Sequence, residues 1–384
     1  MKSLLTNEMA NRKSNAFYTS LSKILPDPDT LLIGYRNPIE HYKKLTNDPH
    51  LSGVIIQRKA FVKAMEHEFT AKMKNTKEME LLFEQLELND LMNQVLDAIL
   101  YGYTVHEIIW EFKDGKYFPK RIEEKPQDWF AFDNENVLKL KNPHKMDDLI
   151  DLPDYKFILS QHNPSYMNPY GEKLIKKCYW NVKMKANAVE YWSYFIEKFG
   201  SGFLEGELPQ SMYEGKKDEF LNDLVALRKT GVIVKREGAK INILESKTKG
   251  GSSSAFKEFT DFHKEEISLA ILTETLTSIA KNIGSYAQSK THQEMIETVI
   301  EPDKKIVEKF FKKLIGYYNT LNYGNIETTK FMLFSKKEID KNLADRDKVL
   351  SDQGVRFTKE YYMKNYNLKE SDFDLKETET VKVN

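Results

Sequence analysis

The residues that could do chemistry are spread thinly along the chain, and their spacing decides what each could do. Gly200-Ser201-Gly202-Phe203-Leu204-Glu205-Gly206 approaches a dinucleotide-binding turn, but its third glycine stands one place late. A helical pattern precedes it where a strand is required, and Glu207-Leu208-Pro209 follows where a helix should open. Acidic groups there would oppose a pyrophosphate, so the segment reads as a helix stop and joint. No G-x-x-x-x-G-K-[ST] occurs, which excludes a Walker-type ATP site. No two of the 8 histidines show the H-E-x-x-H gap, and His292-Gln293-Glu294 lacks the paired cysteines that a zinc deaminase would add. His106, beside Glu107 in an alternating pattern, reads as a buried or interfacial imidazole rather than a ligand. The pairs Glu123-Glu124, Asp147-Asp148 and Glu265-Glu266 diverge to different faces and do not converge on two metals. Cys178 lies on an apolar helical stripe and reads as a small hydrophobe. The expectation is a chain with no catalytic residue, no cofactor and no metal, which neither hydrolyses ATP nor cuts DNA. A nuclease with widely dispersed ligands is the enzymatic alternative.

One further group is ionic. Residues 172–198 carry six lysines against three glutamates, a net of +3, with Lys176 and Lys183 seven apart and able to share a helical face. Such a stripe could meet phosphate without reading sequence, and a mild excess would let a polyanion slide. From spacing alone, an ordinary solvated face is the simpler reading.

The elements that must position these groups alternate in period. Asn47-Asp48-Pro49 opens a helix, and a second helix is expected over about 76–100, stopped at Tyr101-Gly102-Tyr103. Thr104 to Phe112 alternates as a strand and Asp114-Gly115 suits a tight hairpin, with Lys116 to Ile122 returning. Trp129-Phe130-Ala131-Phe132 and Lys156 to Leu159 are expected to complete that antiparallel sheet, with loop over 133–154. A long helix follows Asn168-Pro169-Tyr170-Gly171, with Ile175, Cys178, Val182, Val189, Trp192 and Ile196 on one stripe as far as Phe199-Gly200. Trp192 is therefore expected to be buried within the subunit or between neighbours. A helix over about 216–230 precedes two short strands, Val232 to Val234 and Ile241 to Leu244, facing each other. Gly250 to Ser254 reads as a flexible joint, helices follow over 255–283 and from Pro302 to Tyr323, and short elements continue to Tyr366.

The chain has 384 residues with 58 basic and 58 acidic side chains, so its size suggests two or three packed regions and its neutrality excludes coating nucleic acid by bulk charge. A single cysteine excludes an intrachain disulfide and a cysteine-built zinc site, which points to an intracellular chain. No apolar run approaches 18 residues and the opening Met-Lys-Ser-Leu-Leu-Thr-Asn-Glu lacks a signal-peptide core, so neither secretion nor membrane insertion is expected.

Several blocks, taken in order, resemble the portal, or head-to-tail connector, proteins of Mu-like phages and prophages. They are DPHLSGVIIQRKAFV from Asp48, AILYGYTVHEIIWE from Ala98, PKRIEEKPQDWFAFD from Pro119, PYGEKLIKKCYWNVKMKANAVEYWSYFIEKFGSGFLEG from Pro169 and AILTETLTSIAKNIGSYAQSKTHQEM from Ala270. The likeness covers about residues 30–320. It departs after EKFG, where Gly202 stands in place of the usual proline. The resemblance implies an α+β portal fold with long stem helices and a mixed α/β wing, assembled as a ring of usually twelve subunits at one capsid vertex. It implies a channel for double-stranded DNA and contacts with the large terminase subunit, which supplies the ATPase, with the major capsid protein, and with head-completion or neck proteins.

Carried onto this chain, residues 1–29 become an N-terminal arm, 30–168 the wing region, 169–200 the first stem helix region and 201–250 the clip or its approach. Residues 251–325 become the second stem, channel-loop and wing helices, and 326–384 the C-terminal region and tail. The matches at Asp128, Trp129, Pro169, Tyr170, Gly171, Trp192, Glu197, Phe199 and Gly200 imply structural or interface roles. Lys176, Lys183 and Lys185 become candidates to face DNA. The implied location is the virion vertex, and the host cytoplasm during assembly. A non-channel oligomeric adaptor or scaffold protein is the structural alternative.

Overall fold

The computed structural model describes residues 24–32, 35, 38–70, 82–84, 86–145, 148–199, 203–207, 217–226, 240–244, 249–273, 286–324, 330–334, 341–366, 368 and 373. Helix α1 (Pro38–Leu45) leads into α2 (Pro49–Lys63), which starts where the sequence signals it: Pro49 occupies the first turn and Asp48 accepts the Leu51 amide at 2.9 Å. Strand β1 (Glu66–Thr70) follows. The helix expected over 76–100 is instead divided, with α3 (Leu88–Val95) and α4 (Asp97–Tyr101) as separate pieces in its second half. Gly102, at φ +91°, ends α4.

The hairpin forms as its turn residues dictate. Strands β2 (Tyr103–Lys113) and β3 (Lys116–Lys125) join through Asp114 and Gly115, both at positive φ, as a type I′ turn requires. Strand β7 (Phe157–Gln161) adds to the other edge of β2, giving the antiparallel order β3-β2-β7. Here the structure corrects the expected sheet. Strand β4 (Phe130–Phe132) belongs to a second sheet with β5 (Leu138–Lys141) and β6 (Leu149–Ile150), both inside the stretch expected as loop. These strands are short and only half-buried, so alternation of Leu138 and Leu140 with Lys139 and Lys141 carries too few apolar residues to stand out.

The β3-β2-β7 sheet separates two apolar interiors. Ile108 and Ile158 face the larger one, shared with α2 to α4 and the later helices; Val105 and Tyr103 face a smaller one with Phe130, Phe132 and Tyr170. Helix α5 (Leu174–Phe199) runs 26 residues, about 39 Å at 1.5 Å per residue, matching the expected rod. Its stripe is buried through Ile175, Cys178, Val182 and Ala188, but Val189 and Ile196 are exposed.

Strand β8 (Phe203–Glu207) pairs with β9 (Lys240–Leu244); Val232 to Val234, the expected partner of Ile241 to Leu244, lie outside the described residues. Helix α6 (Lys249–Leu272) incorporates Gly250 to Ser254, correcting the flexible-joint reading. Helix α7 (Tyr286–Tyr323) contains Pro302 rather than starting at it. Its downstream half buries Val307, Phe311, Leu314 and Tyr318, enough packing to hold the helix across one missing backbone donor. Gly324, at φ +76°, caps it.

Strand β10 (Lys330–Phe334) returns to pair with β1, bringing Phe331 against Phe83 and Phe311. Helices α8 (Lys341–Asp352) and α9 (Lys359–Tyr366) follow; Asp347 accepts hydrogen bonds from the Tyr361 and Tyr366 hydroxyls. Among the described residues no helix is long and apolar enough to cross a membrane.

Candidate functional site

Helices α5 and α6 lie side by side and antiparallel, because contacts that advance along one retreat along the other. Asn181 Oδ1 meets His263 Nδ1 at 2.8 Å, and eleven residues further up α5 the indole of Trp192 lies parallel to the ring of Phe256, centroids 6.4 Å apart. Trp192 is half-buried on this seam, and its indole nitrogen is enclosed. Burial also lowers the His263 imidazole below its ordinary range.

The base of the pair is fixed to α2. Lys185 Nζ reaches the Asp48 carboxylate at 2.5 and 2.6 Å, and both side chains are almost fully buried. The same carboxylate caps α2, so one group ties a helix start to the rod beside it. His50 Nε2 meets Ser268 Oγ at 2.8 Å and the Lys264 carbonyl at 2.9 Å, securing α6 to the same helix. A second anchor is Arg58. Its guanidinium bonds both oxygens of Asp303 on α7, at 2.7 and 3.0 Å, and donates to the Ile271 carbonyl at the end of α6. Arg58 and Asp303 are buried, so α2, α6 and α7 share one ionic joint.

Of the three candidate lysines, two are committed within the subunit. Lys185 is the buried partner of Asp48, and Lys176 reaches Asp29 at 3.0 Å beside Tyr42 and Lys173. Burial pushes the Asp29 carboxyl up, but the Tyr42 hydrogen bond and the two lysines outweigh it and leave it below its usual range. Lys183 is exposed, on the wall of a cleft of about 570 Å³ with His41, Lys44 and Tyr179.

The turn into α5 explains its P-Y-G text. Tyr170 is buried; its hydroxyl donates to the Leu25 carbonyl at 2.6 Å and accepts the Phe132 amide at 3.3 Å. Pro169 is buried and its carbonyl accepts from Gln161 at 2.6 Å. Gly171, at φ +78°, lies so close to Gly102 that no Cβ fits at either. Asp128 is half-buried, its carboxyl raised by burial, and its carbonyl accepts from Lys141 at 2.9 Å; neighbouring Trp129 is exposed. Glu197 is exposed near the end of α5, Phe199 is its last residue, and Gly200 lies outside the described residues. Pro169, Tyr170 and Gly171 thus gather at one end of α5, with Glu197 and Phe199 at the other. Arg58 and Asp303 were not singled out as a pair from sequence, although an arginine in an otherwise apolar helical run is the signal that could have found the first.

Cys178 is buried and its thiol is pushed up to about 12 by burial. Among the described residues, no three His, Cys, Asp or Glu side chains gather in a way that could hold a metal ion.

A family model described as the portal protein of Mu bacteriophage matches residues 39–368, a span that takes in α2, the PYG turn, the α5/α6 pair and α9. This chain belongs to the phage portal protein family. Two relatives are the portal protein of Escherichia phage Mu, 22% identical over 267 residues, and the Mu-like prophage FluMu protein gp29 of Haemophilus influenzae, 24% identical over 253. The matches cover 67% and 62% of this chain but 51% and 47% of theirs, so the chain spans about half the length of the curated relatives it matches. The fold is also similar to one in the neck of an empty gene transfer agent particle computed with C6 symmetry (TM-score 0.58) and to one in the virion of the native particle (0.57). Each is 12% identical and covers 88% of this chain and 94% of the other.

Proposed function

We propose that this chain is the portal subunit of a Mu-like phage or prophage. Copies of it form a ring, twelve in the particle, at one vertex of the head. The ring is the channel through which double-stranded DNA is packaged and ejected, and the docking site for the large terminase subunit, the major capsid protein and the head-completion or neck proteins. Its role is structural, with no catalytic residue, cofactor or metal of its own. Residues 30–168 serve as the wing region, 169–200 and part of 251–325 as the stem, and 201–250 as the clip or its approach. The observation that carries this reading is the family match over 39–368, which runs through both helices of the α5/α6 pair.

Within that reading, the lysine that best fits a DNA-facing role is Lys183, because Lys176 and Lys185 already hold carboxylates of their own subunit. A polyanion that must move favours such sparse, exposed charge, since each contact is screened by salt and easily exchanged. The reading is tested by deleting the gene from a phage or inducible prophage that encodes it. Heads without packaged DNA, restored to filling by the chain supplied in trans, are expected; DNA-filled heads in its absence would overturn it.

A further inference from the structure

The face of the β3-β2-β7 sheet that meets the larger core carries a short polar line through apolar surroundings. Thr104 and Ser160 stand directly opposite each other on β2 and β7, and His106, two residues beyond Thr104, points to the same face. Ile108 and Ile158 flank them in that core, and Phe310 of α7 meets the His106 ring edge to face, centroids 4.9 Å apart. Thr104 and His106 have no exposed surface and Ser160 is 5% exposed. Thr104 Oγ1, Ser160 Oγ and both ring nitrogens of His106 are buried with no hydrogen-bond partner in the protein.

Atoms gathered in this way need a common explanation, because a buried polar atom left dry carries the full cost of its desolvation. An N–H donated to the Phe310 ring would answer at most one of them. Directly opposed residues hold their Cβ atoms about 5 Å apart, so two short hydroxyl side chains that do not bond each other leave a gap that one water spans. A buried water makes about three hydrogen bonds, so one water on both hydroxyls and one imidazole nitrogen, with a second on the other nitrogen, satisfies every atom of the group. The donors and acceptors match: each hydroxyl does either, and a neutral imidazole has one nitrogen of each kind. Burial keeps that imidazole neutral. Two hydroxyls and a neutral ring offer an anion no charge, and Glu124 stands opposite His106 on β3. Among the described residues no three side chains gather to hold a metal ion.

We propose that Thr104, Ser160 and His106 hold an internal water site between the sheet and α7. Its route to solvent is the line's other end. His162, two residues after Ser160 and just past β7, is buried with its Nδ1 2.8 Å from the Glu172 carbonyl, and it lines a cleft of about 580 Å³ with Glu172, Lys177 and Asn181. The site lies within one subunit, so it goes beyond the portal reading and stands independently of it.

An experimental map of the full chain, at a resolution that shows ordered water, tests the site directly. A density peak within about 3.2 Å of polar atoms on at least two of the three side chains is expected. Side-chain atoms filling the space, or a peak that scatters anomalously after exchange into bromide and so marks a halide, would overturn it. Stability gives a second reading whose sign differs between a wet and a dry site. Thr104→Val and Ser160→Ala each remove one hydroxyl with little change of shape. With water bound, each leaves that water short of a partner, so the denaturant midpoint should fall, and the double variant should lose less than the two losses combined because both act on one site. In a dry site each substitution would instead remove an unpaired hydroxyl from the core. An unchanged or raised midpoint in both variants would therefore overturn the proposal. Should Thr104→Val fail to fold, the map and Ser160→Ala still decide.

Discussion

Gly102 and Gly171 meet backbone to backbone: a Cβ at Gly102 would stand 2.4 Å from the Tyr170 carbonyl oxygen, and one at Gly171 would stand 2.2 Å from that of Gly102. Both have positive φ, and the His162 amide donates to Gly102 O at 2.8 Å between them. The contact seats the entry to α5 on the α4–β2 corner. Gly102→Ala or Gly171→Ala combines left-handed strain with a backbone clash and should cost about 3 kcal/mol or more. Gly115→Ala, at φ +78° with open space around it, should cost only about 1 kcal/mol. Denaturant titration of the three variants checks the contrast, and equal losses would contradict it.

Arg58 and Asp303 give a second stability test. Removing one partner leaves the other charge buried, so Arg58→Met or Asp303→Leu should each cost about 3–5 kcal/mol. The double variant should recover much of that loss, since neither charge is then stranded. A double-mutant cycle with simply additive losses would show that the pair does not act as one joint.

How much of this was legible in the sequence follows from range. The Asp48 cap, the Asp114-Gly115 turn and the α5 rod are local, and each was read correctly from residue type and period. The stripe Ile175 to Ile196 was read as one buried line, but α6, α1 and α4 cover only part of it, which leaves Val189 and Ile196 in solvent. Pro302 was read as a helix start because local preference favours that, and packing of the downstream half of α7 overrode it. The functions of Lys176 and Lys185 depend on Asp29 and Asp48, more than 130 residues away, which no spacing rule reaches. The PYG turn was noted as family text, yet its reason, the approach to Gly102, is visible only in three dimensions.

Two buried groups on one face of the β3-β2-β7 sheet should shape the pH dependence of stability in opposite senses. His106 has both ring nitrogens buried without a hydrogen-bond partner, and burial lowers its pKa from 6.5 to about 3. Between those values the unfolded chain binds a proton that the folded chain refuses, so this group costs stability as pH falls below 6.5. Glu124 is raised from 4.5 to about 7, chiefly by burial and then by Asp97, against the opposing pull of Lys43 and Lys59. There the folded chain holds a proton that the unfolded chain has lost, so stability falls as pH rises from 4.5 towards 7. Over pH 4.5–6.5 the two offset each other. Relative to the parent, His106→Gln should gain stability on acidification across that window, and Glu124→Gln should lose it. Chemical denaturation at several pH values reads both slopes, and identical slopes for all three proteins would refute the assignment.

Lys183 and Lys185, two residues apart, should behave differently. Lys185→Met strands the Asp48 carboxylate and should destabilise the subunit by about 2–4 kcal/mol. Lys183→Gln should change stability by less than about 0.5 kcal/mol, as expected at an exposed site. If Lys183 faces the channel, heads with matched portal content should retain less DNA in Lys183→Gln than in the parent, with a gap that narrows as salt rises. Equal filling at every salt concentration would remove Lys183 from the channel.

The account stands or falls on assembly around a passage. Electron microscopy of the purified full chain, viewed down its assembly axis, should show closed rings with a central opening wide enough for duplex DNA. The number of subunits in a recombinant ring matters less than closure. A population of compact monomers, or rings with no passage, would contradict the central claim.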